Sequence, residues 1–440
     1  MKRMIVSALM LSLLGGCGLL NRGGGPRTPT VGNRTAVLNT EASVEVDPTI
    51  AQVPVVVPGP ILNSDWPQPG GNPAKSMTHV ALGAAPAQAW RVSIGAGSTT
   101  SGRLGSEPVV ADGKVFTIDT RAVVRAFSAA NGQQLWQTQV RGEQATSGIL
   151  FGGGVSYDGG RLYVTNGAGY ATALDATNGQ QVWQVRPGGP LRGAPTVAAG
   201  SVYVLSQDNQ IFALRQDTGA LQWSGSGAVE VAGVFGSAAP AFAQSTVVAG
   251  FSSGELTAYR YENGQVVWQD ALARTGVSTI VGNLSDIDAD PVIDNGRVFA
   301  VGQGGRMVAV ELITGQRAWE LNIAGISTPW VSGDWVFVVT DRAQLLAVQR
   351  SSGKIRWISQ LQRYIDHENA RSGSVFWRGP VLAGGRLVLT SSIGHVLFVN
   401  PADGRVIQTQ NASSRFSFAP VVANGTMYTL DDAGMLTAWR

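Results

Sequence analysis

The sequence predicts an all-β fold in which one four-stranded unit is repeated around a closed ring. Three observations predict it. The first is a word that recurs: "NGQQLW" ends at Trp136, "NGQQVW" at Trp183, "TGALQW" at Trp223, "NGQVVW" at Trp268, "TGQRAW" at Trp319 and "SGKIRW" at Trp357, with a worn copy, "DGRVIQ", ending at Gln408. The glycines of these words (Gly132, Gly179, Gly219, Gly264, Gly315, Gly353 and Gly404) are 47, 40, 45, 51, 38 and 51 residues apart. A self-similar period of about 40–50 residues marks a solenoid, a propeller or an array. The second observation is the grammar inside each period: short β-branched and aromatic runs separated by Asn-Gly or Asp-Gly, the strongest local hairpin signal. No helical period runs through the units. The third is composition. The chain is 44% hydrophobic and only 14% charged, and it carries 57 glycines. A globular chain averages about 25% charged, so this profile suits a large β protein with many tight turns.

The elements follow in chain order. Residues 1–16 pair a basic start with a short apolar run from Met4 to Leu14, and with Cys17 they end in "LLGGC". That is a secretory signal, and the run is too short to span a bilayer core of about 30 Å. Its end resembles the lipobox of bacterial lipoproteins, which implies cleavage before Cys17 and lipidation of that cysteine. Gly18 follows it, and by resemblance to the sorting rule of Gram-negative lipoproteins this implies the outer membrane. Residues 17–62 are rich in Gly, Pro, Thr and Val without a hydrophobic period and read as a flexible tether. The propeller is expected over residues 63–440.

Within it, "AQAWRVSI" (Ala87 to Ile94) is a strand with a Trp, Trp90, but no unit of its own. The first full unit is "PVVADGKVFTIDTRAVVRAFSAANGQQLWQTQV" (Pro108 to Val140), which parses into four strands. Further units begin near Val155, Ala194, Ala239, Asp290, Thr328 and Gly379, and a last one near Ala419 has only three strands before the chain stops. The lone N-terminal strand completes it. Seven full units and one composite make an eight-bladed β-propeller of four-stranded antiparallel blades, and closure removes the open edge of a linear stack. Each repeat glycine is expected in a turn at positive φ. Each repeat tryptophan (Trp90, Trp136, Trp183, Trp223, Trp268, Trp319, Trp357) is expected between blades, as structure and not as a ligand site.

Charge and chemistry narrow the function. The net charge is +3, and without Lys2 and Arg3 it is 3 − 2 = +1, so no basic surface calls for nucleic acid. The one cysteine, Cys17, allows no intrachain disulfide. The three histidines (His79, His367, His395) have no metal-cage spacing. "DIDAD" (Asp286 to Asp290) alternates carboxylates, but Pro291 and Arg297 stand where an EF-hand needs Gly and Glu. No cofactor, metal or catalytic residue is expected.

Units such as "LYVTNGAGYATALDATNGQQVW" resemble the repeat of pyrroloquinoline-quinone (PQQ) dehydrogenases. Those enzymes typically set a vicinal disulfide against the quinone, which this chain cannot form, and it lacks their long inserted loops. The lipobox followed by a propeller of this repeat resembles, over roughly Trp66 to Arg440, the BamB family of lipoproteins of the β-barrel assembly machinery. Two segments carry the resemblance: "PLRGAPTVA" (Pro190 to Ala198) and "LSDIDADPVI" (Leu284 to Ile293). By position, it implies that Leu191, Arg192, Asp286 and Asp288 contact the POTRA domains of the insertase BamA. Gly189 stands where the family has another apolar residue. The resemblance implies a non-enzymatic scaffold, a monomer within a hetero-complex, held by its lipid at the periplasmic face of the outer membrane. It also implies a part in barrel folding and insertion, with unfolded barrel precursors as a further partner. Arg192 and the two aspartates lie in equivalent links between consecutive units. They are expected to be co-facial, two blades apart, and exposed. The alternative left open is a quinoprotein-like dehydrogenase or a ligand-binding periplasmic lipoprotein.

Overall fold

The computed structural model describes residues 44–142, 152–228, 238–272, 285–412 and 414–440. Their strands form eight four-stranded antiparallel sheets, seven of them consecutive meanders and one joining the N-terminal strand to the last three, and one two-stranded hairpin. Blade 1 is Val109–Ala111, Lys114–Ile118, Val123–Ser128 and Gln134–Gln139. Blades 2 to 7 span residues 153–185, 196–226, 241–271, 292–321, 330–360 and 377–411. The hairpin, Tyr364–Asp366 with Asn369–Ser374, is inserted between blades 6 and 7. Blade 8 joins Val421–Ala423, Thr426–Leu430 and Met435–Trp439 to the N-terminal strand Gln88–Ser93. That strand pairs antiparallel with Met435–Trp439, with Arg91 opposite Thr437. Ala87 and Arg440 exchange both backbone hydrogen bonds, at 2.7 and 2.9 Å. The ring is closed by the two ends of the chain.

Apolar layers fill the space between adjacent sheets. Phe116, Val124 and Ala126 of blade 1, for example, share one cluster with Val155, Leu162 and Val164 of blade 2. The repeated word explains how one blade grips the next. Each repeat tryptophan lies over the glycine of the following repeat. A Cβ on Gly179 would come within 2.6 Å of the Trp136 ring, one on Gly219 within 2.6 Å of Trp183, and one on Gly404 within 2.7 Å of Trp357. The indole N–H then donates to a carbonyl of that next blade: Trp136 to Ala176 (3.1 Å), Trp268 to Leu312 (2.7 Å), Trp357 to Pro401 (3.0 Å). Trp90 of the composite blade does the same over Gly132 and Ala129 of blade 1. Blade 7 has Gln408 in the tryptophan's place. The next blade there is the composite, where the glycine turn is replaced by the two chain ends. The worn copy falls at the one junction with no glycine to cover.

Residues 44–62 correct the expectation of a flexible tether over 17–62, at least for this part. Pro48–Ile50 forms a 3-10 turn capped by Asp47. Asp47 donates its N–H to Ile355 O (2.9 Å) and pairs with Lys354 at 3.5 Å, while Arg356 Nε donates to Val53 O (2.6 Å). Ile50 and Val55 are buried. The segment straps the outer strand of blade 6, because its few apolar side chains find burial there. Cys17, the expected lipid site, and the signal expected over 1–16 lie outside the described residues.

The chain then circles the central axis. Asn63 O accepts from Asn424 of blade 8 (2.6 Å), and Trp66 exchanges two bonds with Val110 of blade 1 (2.7 and 2.9 Å). Pro67 O accepts from Tyr157 of blade 2, and the Gln68 amide bonds the Val197 backbone of blade 3 in both directions. Pro73 and Ala74 carbonyls accept from Phe242 and Ile293 of blades 4 and 5, Thr78 O from the Trp330 indole of blade 6, and Val80 donates to Leu382 of blade 7. Residues 63–80 thus bond to the innermost part of all eight blades in one turn, in blade 6 through the Trp330 indole. They close the channel at the end where first strands turn into second strands.

The two faces of the ring differ. On one, links between blades bond to second-to-third-strand turns: Gln207 to Pro190, Gln303 to Asp286, Asp341 to Ala324 and Asp432 to Arg415, at 2.8–2.9 Å. This is the link face. On the other, third-to-fourth turns bond first-to-second turns, as in Ala176 to Gly160 and Leu312 to Gly296.

Candidate functional site: a buried charge cluster beneath the link face

The link into blade 3 is stitched down by its own backbone. Leu191 bridges Ser206, and Arg192 N–H donates to Leu205 O at 2.8 Å. That pairing aims the Arg192 side chain toward the neighbouring links. Its Nη1 donates to Ser252 Oγ of blade 4 at 2.8 Å, and its Nη2 to Asp286 Oδ1 at 2.9 Å. Asp288 Oδ1 lies 3.6 Å from the same nitrogen, and the Gln303 amide donates to Asp288 Oδ2. Ser285 Oγ donates to Ser252 O at 3.1 Å. One guanidinium therefore ties the links that enter blades 3 and 5 to the turn of blade 4.

The expectation that Arg192, Asp286 and Asp288 are exposed does not hold: Asp288 is partly buried and the other two fully so. Leu191 and Asp286 are 0% exposed and Arg192 2%. Position in a link fixes the face of the ring, and Arg192 and Asp286 do meet on one face across two blades. Depth is decided by backbone bonds that draw the links inward, and there a fork-shaped cation between two carboxylates is satisfied. Burial is the main cause that pushes both carboxyls up. For Asp288 the charge of Asp286 adds to it, and its pKa reaches about 7 despite the pull of Arg192; Asp286 is raised by burial against the same pull.

A second group of charges escaped the sequence reading. The central channel holds a small cavity, of about 90 Å³, whose lining includes Trp66, Lys75, Glu107, Asp288, Asp290, Trp330 and Arg378. Residues 63–80 form its floor, and residues at the start of the innermost strands of blades 1, 3, 5, 6, 7 and 8 form its walls. Burial raises Glu107 to about 7, with Asp290 adding to it, and pushes Asp290 up; it pushes Lys75 and Arg378 down. Isolated charges in a β sequence carry no spacing signal, so nothing marked Lys75, Glu107 or Arg378; Asp288 and Asp290 stood out only as part of "DIDAD". No cluster of three or more His, Cys, Asp or Glu suited to a metal occurs among the described residues.

Eight sheets of this repeat, closed end to end, define a β-propeller of the PQQ-like-repeat class. The family model described as outer membrane protein assembly factor BamB matches residues 77–150 and 120–359. The chain belongs to the BamB family. Among curated relatives, the assembly factor BamB of Yersinia pestis is 28% identical over 361 residues, covering 80% of this chain and 88% of that protein. That of Escherichia coli K12 is 30% identical over 348 residues, covering 78% and 86%. Among solved structures, BamB from Moraxella catarrhalis superposes with a TM-score of 0.69 at 19% identity, over 81% of this chain and 100% of that one. Quinohemoprotein alcohol dehydrogenase from Comamonas testosteroni reaches 0.65 at 14% identity, over 86% and 80%. At these identities the two structures speak for the fold alone.

Proposed function

We propose that the chain is a non-catalytic scaffold of outer-membrane β-barrel assembly. It is anchored through a lipid on Cys17 at the periplasmic face of the outer membrane, and it docks POTRA domains of the BamA insertase on its link face to aid barrel folding and insertion. Family membership supports the assembly role. The observation that carries the docking face is the Arg192–Asp286 ion pair, which joins two links two blades apart. Leu191, Arg192, Asp286 and Asp288 then serve the interface by holding the link loops in one arrangement, since their own surface is buried.

The test is the affinity of purified POTRA domains, with a thermal melt for each variant. Asp286→Asn with Asp288→Asn should loosen the links and weaken binding. Exposed Asp208 sits in the turn beside Gly189, and Asp208→Arg should weaken binding about tenfold, or ~1.4 kcal/mol, without moving the melt. Glu262→Lys, exposed in a third-to-fourth turn on the opposite face, should change nothing. Wild-type affinity in both link-face variants would remove the interface from this face. Separately, Cys17→Ser should release the protein from membranes, because acyl burial of about 0.8 kcal/mol per CH₂ is what holds it. A saturable titration with PQQ and calcium would restore the enzyme reading.

A further inference from the structure

A groove of about 530 Å³ crosses the link face at blades 7, 8 and 1, within the roughly 300–1,000 Å³ of ligand-sized sites. In a ring of eight, blade 8 stands opposite blade 4, so the groove lies across the ring from the Arg192 cluster, which ties blades 3 to 5. One wall comes from the inserted hairpin and the adjoining turn of blade 7, with Ile365, Phe376 and Ile393. The other comes from the links into blades 8 and 1, with Arg415 and Arg103. Backbone bonds fix both walls. Phe376 N–H donates to Ser392 Oγ and Ser392 N–H to Phe376 O, each at 2.9 Å. Phe416 N–H donates to Ser391 O (3.1 Å), and Asp432 N–H to Arg415 O (2.8 Å). The Trp377 indole pins the foot of the hairpin by donating to Gln362 O (2.9 Å). A groove held this way loses little freedom when it is filled.

The two walls differ in character. On the link side, Arg103 and Arg415 are exposed, and Arg378 stands half-buried at the inner end. The lining holds one carboxylate, Asp432. Arg378 Nη1 donates to Ile326 O (2.8 Å), and Asp288, Asp432 and Glu107 all act on its charge. Arg103 and Arg415 act on Asp432 from a distance. Among the described residues, no ion pair within 4.0 Å joins any of these three arginines to a carboxylate. Burial pushes the Asp432 carboxyl up, which weakens it further as a counter-charge. The positive charge of the groove is therefore in excess. On the hairpin side the surface is apolar: Phe376 is 52% exposed and Ile365 51%. An exposed aromatic on a fixed backbone is an anchor for a partner's apolar side chain.

We propose that this groove docks an acidic segment of a partner polypeptide, in which carboxylates alternate with aromatic or branched apolar side chains. In an extended chain successive side chains point opposite ways, so such a segment turns its carboxylates to the arginine wall and its apolar side chains to Phe376 and Ile365. The guanidinium fork of Arg103 or Arg415 takes a carboxylate by two parallel bonds. A small anion meets the cations but leaves the apolar wall bare. The groove and the Arg192 cluster sit on one face at opposite sides of the ring, and the groove's occupant does not depend on whether POTRA domains bind at the other.

The probe is a fluorescein-labelled octapeptide with blocked ends, alternating aspartate and phenylalanine, read by anisotropy against the full chain in detergent. Saturable binding is expected, weakening as salt screens the arginines. Asparagine in place of aspartate should weaken it at least about tenfold, and alanine in place of phenylalanine at least about threefold. Arg103→Glu and Arg415→Glu should each weaken it about tenfold, and Phe376→Ser about threefold or more, with the fold checked by thermal melt. Arg405→Glu, exposed in the third-to-fourth turn of blade 7 on the opposite face, should change nothing. No saturation by about 1 mM peptide, equal affinity for the asparagine peptide, or wild-type affinity in both arginine variants would overturn the proposal. Inorganic phosphate and phosphatidylglycerol vesicles are titrated beside it. Displacement of the peptide by phosphate with no loss in Phe376→Ser would make the groove an anion site and overturn peptide docking. Vesicle binding that the arginine variants lose, without peptide binding, would overturn it in favour of a lipid contact.

Discussion

Arg192 is the cation bonded to Asp286 and closest to Asp288, with Arg378 adding a weaker pull on Asp288, and that balance governs how the cluster responds to mutation and to pH. Removing Arg192 leaves Asp286 without its ion-pair partner, so Arg192→Ala should destabilise by about 3–5 kcal/mol, the usual cost of breaking a buried pair. A denaturant titration reads this directly, and a loss under about 1 kcal/mol would mean that water reaches the cluster. The pH response has a definite sign. Asp288 titrates at about 7 in the fold against an ordinary value of 3.8. Between those values the folded chain keeps a proton that the unfolded chain has released. This residue's contribution therefore falls as pH rises from about 4 to 7 and is level above. Asparagine stands in for the protonated form. The melting temperature of Asp288→Asn minus that of the wild type should grow between about pH 5 and about pH 8; a flat difference would show that Asp288 ionises normally. From the sequence, the link position told which face Arg192 and Asp286 share. It could not tell their depth, which the bonds from Arg192 to Leu205 and from Gln303 to Asp286 set.

Tryptophan and glycine in each word belong to different contacts, one step apart around the ring. The recurring word was visible because its spacing is regular, and so were the hairpins, because Asn-Gly and Asp-Gly punctuate them. The pairing of each tryptophan with the next copy's glycine was not, since within one word the two residues look like neighbours. Blade 3 offers a controlled comparison. Gly219 and Gly200 have the same backbone, φ +75° and +76°, but a Cβ on Gly219 would meet Trp183 at 2.6 Å while one on Gly200 would meet nothing within 4 Å. Gly200→Ala should cost only the left-handed backbone term, roughly 1–2 kcal/mol. Gly219→Ala should add a packing term of roughly 1–3 kcal/mol. Equal losses in a chemical melt would mean that the tryptophan moves aside freely. A bulge precedes each tryptophan, between Ala126 and Phe127, Ala173 and Leu174, and their equivalents. It leaves Leu135, Val182, Val267 and Ile407 exposed on the outer strands. Bulges twist an edge away from flat pairing, so these apolar residues sit on edges poorly shaped for stacking against another ring.

Ring closure and channel closure are both made by the N-terminal hundred residues, and they can be separated. Eight blades were countable in advance because the C-terminal unit lacked one strand and the N-terminus had one to spare. The turn of chain at 63–80 had no such mark: its partners are inner strand edges spread over the whole sequence, so it shows neither period nor hairpin signal. Truncation from the N-terminus removes these devices one at a time. A chain beginning at residue 44 keeps all of them. One beginning at residue 60 loses the strap on blade 6, with the buried side chains of Ile50 and Val55. Full burial of such a side chain is worth about 1.5–3 kcal/mol, and unfolded-state burial reduces that, so a loss of a few kcal/mol is expected. One beginning at residue 84 also loses Trp66, Val80 and Leu82, all buried, and uncovers inner backbone groups in every blade, yet keeps Gln88–Ser93. It should remain a closed ring with a far lower melting temperature. One beginning at residue 95 opens blade 8, strips Trp90 from Gly132, and should not fold as a monomer. The measurement is the midpoint and steepness of guanidinium unfolding across the series. If the chain from 84 melted like the chain from 44, residues 63–80 would be a passive cover and the ring would hold itself. If the chain from 95 stayed monomeric and cooperative, closure by Gln88–Ser93 would be dispensable and the composite blade would have no role in stability.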